Sequence, residues 1–345
     1  MNGTKVWISA ALTGVVFAGA VGAAEMKLGD HWVLPGPVAW DYLTLDSSGA
    51  HLYVTRSSQV DVLDTHSGKV VATISGTSGA HGVALAESAK RGYISNGKSD
   101  TVTMFDLETF KTLQEAPAGG HNPDAILYDA ASQHLFTFNG RSADVSVLSP
   151  TDLKVQTTIK VPGKPEFAVS DEQGQIFANI ETEPGQMVVI DSSKLQIKAV
   201  WKLPGCNSPS GLSFDKAHHR LFSVCDDKVM VVTDSTTGKQ VAKVAIGEGP
   251  DAVVYDAKRA LVFSSNGEGT LTVVQQDDPD KYSVLQTVAT KQGSRTMAWD
   301  TASGTVFLAS ADFPAGPAPE HGRLQAAPGT FAILEVQSGS GHTGR

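Results

Sequence analysis

Apolar and polar residues alternate at period two in short runs along most of the chain. Val102 and Met104 alternate with Thr103, and Val145 and Val147 with Ser146. This alternation predicts half-buried β-strands. The runs belong to a larger phrase of about 43 residues that recurs seven times, a period typical of four-stranded propeller blades. The second strand of each phrase fixes the register, at residues 52–56, 92–96, 135–139, 176–180, 221–225, 262–266 and 306–310. Its second position is always aromatic: Tyr53, Tyr93, Phe136, Phe177, Phe222, Phe263 and Phe307. These rings are expected to fill the gaps between blades. The fold predicted is all-β, a seven-bladed β-propeller of four-stranded antiparallel sheets, with units starting near residues 38, 79, 120, 164, 206, 250 and 294.

A ring of sheets left open would expose an unpaired edge. The last unit turns polar after Leu334 with no fourth strand of its own, whereas residues 31–36 read like the fourth strands at 158–163 and 201–205. Residues 29–34 are therefore expected to form the outer strand of the seventh blade, so that the last blade is closed by the N-terminal strand.

The repeats occupy nearly all of the 345 residues, which leaves three segments: 1–24 as a signal peptide, 25–337 as the propeller and 338–345 as a disordered tail. Lys5, the apolar run 6–21 and the small residues Gly22, Ala23 and Ala24 have the order of a cleaved export leader, so a periplasmic or secreted protein is expected, with no membrane association after cleavage. The net charge is −9 and Lys and Arg do not cluster. Nucleic acid, whose affinity rests on neutralised phosphates, is excluded as an expected partner. The expected partner is a small molecule or a protein segment, and the expected state is a monomer. The two cysteines, Cys206 and Cys225, flank a hairpin turning near Lys216 and Ala217. In an oxidising compartment that pair predicts a disulfide, with a thiolate metal site as the alternative.

The second-strand phrase, followed by aspartate-terminated third strands (Val62-Leu63-Asp64, Val189-Ile190-Asp191), resembles the YVTN-repeat, or YncE-like, β-propellers of bacterial periplasms. The likeness runs from residue 38 to about 310. It is strongest in Gly249-Pro250-Asp251-Ala252 with residues 263–274, and in His121-Asn122-Pro123-Asp124. Ile180 and Cys225 depart from the pattern, standing where Asn is typical. The resemblance implies the fold, and a lactonase-like activity only by analogy.

Propeller topology brings the lead-in to each first strand and the exit of each second strand to one mouth of the central channel. The lead-ins supply Asp41, His81, His121, Asp124, Glu166, Cys206, Asp251 and Arg295. The exits supply Arg56, Asn96, Asn139, Arg141, Glu181, Asp226, Asn266 and Glu268. From these we take Asp41, Arg56, His81, Asn96, His121, Asp124, Asn139, Arg141, Glu166, Asp251, Asn266 and Arg295 as candidate ligand-binding residues. His81, His121, Glu166 and Asp251 are the candidate ligands of a divalent metal. The competing reading makes these groups partners of backbone and water, with His121 to Asp124 a self-bonded turn. The loop 311–328, rich in Pro and Gly, should lie on the same face as a lid, with Phe313, His321 and Arg323 turned inward, or else touch nothing. The acidic loop 275–280 and the pair His218, His219 are expected at the opposite end, as solvated turns. Three functions remain: binding at the mouth without catalysis, metal-assisted hydrolysis of a lactone or ester, and a protein-interaction scaffold.

Overall fold

The computed structural model describes residues 25–313 and 325–338. The leader 1–24, the lid positions His321 and Arg323 and the tail from 339 lie outside the described residues. Seven blades follow one another around a channel, each with its first strand innermost. Blades three to six are separate four-stranded antiparallel sheets. Blades one and two pair as one continuous seven-stranded sheet, because the strand Lys69–Ala86 serves both. Its early residues pair with Ser57–Asp64 of blade one, and its later residues pair with Arg91–Asn96 of blade two. No helix among the described residues is long and apolar enough to cross a membrane.

The seventh blade is built from both ends of the described chain. Met26–Val33 pairs antiparallel with Ala332–Ser338, from Met26 opposite Ser338 to Val33 opposite Ala332. The closing strand starts three residues earlier than the sequence indicates and ends at Val33 rather than 34. The Leu34 amide then donates to the Phe331 carbonyl at 2.9 Å. Trp32 packs against Phe307 of its own blade with ring centroids 5.3 Å apart. It also lies over Gly68 of blade one, where any Cβ would fall 2.5 Å from the indole. Trp201 crosses from blade four to Gly238 of blade five in the same way, so two outer-strand tryptophans latch neighbouring blades through glycine.

The second-strand aromatics are all buried. They sit in apolar clusters that straddle blade boundaries, such as Phe136 and Phe138 with Ile176 and Ile180, or Phe222 with Val253 and Val262. The loop 275–280 differs from expectation. It is not a free solvated turn, because Arg220 of blade five donates to the Pro279 carbonyl at 3.0 Å and to Asp280 at 2.8 Å, while Gln276 is buried.

Candidate functional site

The site arises from one irregularity repeated around the ring. In blades two to six the pairing between first and second strands slips near its start: after Ala80, Pro123, Pro165, Pro209 and Pro250. A β-bulge re-aims the side chain of its extra residue. The first residue of each bulge is His81, Asp124, Glu166, Ser210 and Asp251 in turn. Asp41 and Arg295 hold the equivalent places in blades one and seven, just ahead of their inner strands. Each blade thus contributes one residue to a ring at the mouth, and six of the seven carry ionisable groups. Backbone groups fix the ring from blade to blade. The Tyr42 amide donates to the His81 carbonyl at 3.1 Å and the Ala252 amide to the Arg295 carbonyl at 3.1 Å. The Ser95 hydroxyl donates to the Asp124 carbonyl at 2.5 Å, and Ser210 to the Pro250 carbonyl at 3.1 Å.

Neighbouring members touch across blade boundaries. His81 Nδ1 lies 2.5 Å from Asp41 Oδ2 and 3.7 Å from Asp124 Oδ1. These three side chains place donor atoms within 4.8 Å of one another. Arg295 Nε meets Asp251 Oδ2 at 3.2 Å. Lys164 bonds to Glu166 and reaches Glu181 at 2.6 Å. The Tyr42 ring lies beneath the ring of charges, edge-on to Phe167 at 5.1 Å. It joins blade one to blade four.

Crowding buried carboxylates raises the cost of ionising them. Burial pushes Asp251 up to about 7, with Arg295 pulling it back and Asp41 and Asp124 adding to the rise. Burial, then the charge of Asp41, lifts Asp124 to about 6 against the pull of His81. Burial and Asp124 raise Glu166 as well, against Lys164. Lys164 is itself held above its ordinary value by Glu166 and Glu181 despite burial, and it stays charged whichever carboxyl carries the negative charge. Burial opposes the protonation of His81, but its hydrogen bond to Asp41 and the charge of Asp124 prevail and raise it. The Tyr42 hydroxyl is driven well above its ordinary value by burial and then by Asp124, Glu166, Asp41 and Asp251. It is a neutral group facing four carboxyls.

Several sequence-predicted residues lie elsewhere. His121 is not in the cluster. Its side chain is 69% exposed and its Nδ1 bonds Asp100 at 2.8 Å on the rim, while Asn122, at φ 55°, takes the other Asp100 oxygen through its amide. Arg56 is fully buried. It bonds Asp61 at 3.0 Å and the carbonyls of Pro35 and Pro37, and lies 4.0 Å over the Phe331 ring, so it has no reach to a ligand. Asn96, Asn139 and Asn266 are also buried. Each donates across its own second turn, to Thr101 and Thr103, Asp144 and Ser146, and Thr270 and Thr272. They are blade staples, and the departures at Ile180 and Cys225 lack the staple rather than a ligand. Arg141 is exposed, and its amide donates to the His121 carbonyl at 3.1 Å. Cys206 and Cys225 are disulfide-bonded below the mouth of blade five. Phe313 packs on Gly293 and near Trp40, with centroids 6.3 Å apart. Tyr42, Lys164 and Ser210 escaped the sequence reading. The spacing from each second strand, applied to the bulge rather than to the loop, would have found Ser210.

A cavity of about 760 Å³ lies on the far side of Tyr42 and Phe167. Leu45, Leu85, Leu127, Val169, Phe214, Val254 and Trp299 line it, one from each blade. Its lining is mainly apolar, and of its charged residues Lys216 and Glu172 pair with each other at 2.8 Å, so the chemistry is assigned to the ring above it.

No protein-family model matches the chain, and no curated protein matches it. Among solved structures, hydrazine synthase of Kuenenia stuttgartiensis superposes with a TM-score of 0.67 at 14% identity, over 80% of this chain and 92% of that one. The structure of U3-55K gives 0.72 at 11% identity over 90% and 98%. The WD40 repeats of RRP9 give 0.73 at 11% over 91% and 99%. At these identities the likeness establishes the fold alone: the chain is a β-propeller.

Proposed function

We propose that this protein is an exported binding module whose channel mouth takes a small cationic ligand. One observation supports this above the others. Asp41, Asp124, Glu166 and Asp251, from four blades, converge on one mouth closely enough that each adds to the rise of the Tyr42 hydroxyl, and burial leaves three of them reluctant to ionise. A cation entering there supplies the charge that His81, Lys164 and Arg295 supply only in part. The disulfide and the leader-like first residues support export to the periplasm or beyond. A scaffold role finds less support. The exposed large apolar residues are spread over six outer strands, from Leu28 and Val33 to Val284 and Leu285, instead of forming one patch.

Metal-assisted hydrolysis of a lactone or ester is the second reading, favoured by the convergence of Asp41, His81 and Asp124. The kinship with YVTN-repeat propellers belongs to the same level of proposal. Isothermal titration with tetramethylammonium, putrescine, Ca²⁺, Mn²⁺ and Zn²⁺ tests the binding reading. Saturable binding of at least one cation, weakened at least tenfold in Asp251→Asn, is expected. Binding of none, or equal binding by the variant, refutes it.

A further inference from the structure

We propose that Asp41, His81 and Asp124 form a site for one first-row divalent transition metal. The proposal rests on the cationic reading of the mouth and narrows it to a metal. Three observations carry it. First, one imidazole nitrogen and two carboxylate oxygens from three successive blades lie within 4.8 Å of one another. Ligand atoms of a tetrahedral metal stand roughly 3.4 Å apart, given bonds of about 2.1 Å. The 3.7 Å from His81 Nδ1 to Asp124 is near that value. The 2.5 Å contact to Asp41 is a hydrogen bond that the metal would replace, with Asp41 moving outward by about 1 Å.

Second, the Asp124 carboxylate is waiting for a partner. Its side chain is only 13% exposed, and among the described residues it accepts no hydrogen bond, while the nearest cationic atom, on His81, is beyond bonding distance. A buried carboxylate without a donor is costly, and a metal ion removes that cost.

Third, the His81 ring is held in place. A Cβ on Gly97 would fall 2.5 Å from its Nε2 and Cδ2. The ring therefore rests on a glycine in the second turn of its blade and presents Nδ1 to both carboxylates. The donor set decides the class of ion. Imidazole with two carboxylates suits zinc, manganese, cobalt or iron, whereas calcium and magnesium favour more numerous oxygen ligands. Three protein ligands leave a coordination position facing the mouth, as in catalytic rather than closed structural sites.

The test uses tag-free, chelator-treated protein titrated with ZnCl₂, MnCl₂, CaCl₂ and tetramethylammonium chloride. The expected result is one zinc per chain. Affinity should fall at least about 100-fold in His81→Gln and Asp124→Asn, more than an outer partner's usual effect. Affinity should be unchanged in His121→Ala, the exposed histidine outside the cluster. Gly97→Ala should reproduce the loss without removing a donor. Added Co²⁺ should give visible absorption bands in the parent protein, a readout that stands even if the His81 variant fails to fold. Zinc binding that survives His81→Gln, calcium binding as tight as zinc, or featureless cobalt spectra would each overturn the assignment. A protein that takes tetramethylammonium but no zinc keeps the cationic mouth and loses the metal. A protein that takes neither loses both.

Discussion

Replacing Asp251 with Asn should stabilise the protein, and the gain should grow with pH. Asp251 titrates at about 7 when folded, against an ordinary value of 3.8, and its side chain is 16% exposed. A carboxyl raised on folding binds its proton more tightly in the native state. Stability is therefore lost as pH climbs from about 4 through 7, and the loss is complete above 7. At 1.36 kcal/mol per unit, the penalty is about 2 kcal/mol at pH 5 and about 4 kcal/mol at pH 8. Asn has the shape of the protonated acid and carries no such penalty, so its advantage should widen by roughly 2–3 kcal/mol between the two pH values. Urea denaturation of chelator-treated parent and variant, followed by tryptophan fluorescence with the disulfide intact, measures the difference. The subtraction cancels groups remote from Asp251, while Asp41 and Asp124, which feel its charge, ionise more easily in the variant and add to the difference with the same sign. A pH-independent difference, or a variant less stable at pH 8, would mean that the Arg295 pair compensates the buried charge and that the mouth is not starved of cation.

Two further outcomes concern the frame. Removing residues 25–36 takes away the strand paired with Ala332–Ser338 and the Trp32 latch on Gly68, so the seventh blade loses its outer edge; thermal melting should drop sharply, and a truncated protein that melts like the parent refutes closure by the N-terminal strand. Cys206→Ser with Cys225→Ser opens a link between residues 19 apart, which should lower the unfolding free energy by about 3 kcal/mol in urea; zinc or ammonium binding at the mouth should be unchanged, and a loss of binding would show that the disulfide shapes the site.

Blade number, strand order and ring closure were legible because they follow from periodicity. A period-two strand and a recurring aromatic report burial directly, and burial is what a propeller repeats. The site was legible by region and only partly by residue. Sequence shows which side chains come to the mouth end of a blade, but not which of them the backbone turns toward the axis. Asn96, Asn139 and Asn266 sit at the correct end and spend their amides on their own turns. Arg56 does the same with Asp61 and two proline carbonyls. His121 and His81 look alike in sequence, yet His121 lies two residues before its blade's slipped pairing and His81 lies within it. A three-residue offset in blade register separates a rim histidine bonded to Asp100 from one bonded to Asp41.

The repeated bulge also argues against a purely structural ring. The slip, present in blades two to six, needs no charged side chain: Ser210 occupies the position in blade five and serves it with one hydroxyl bonded to a carbonyl. Serine at every blade would satisfy the same geometry without burying charge. The chain instead places four carboxyls, an imidazole and a guanidinium there, with a tyrosine whose hydroxyl burial and the carboxyls hold well above its ordinary value. Burying unpaired carboxylates lowers stability, and the adjacent cations, Lys164 on Glu166 and Arg295 on Asp251, leave Asp124 without a hydrogen-bond donor among the described residues. The destabilisation is shared by Asp124, Glu166 and Asp251, but Glu166 and Asp251 each have a bonded cation, and that makes Asp124, rather than the more accessible His121, the residue on which function at this mouth should turn.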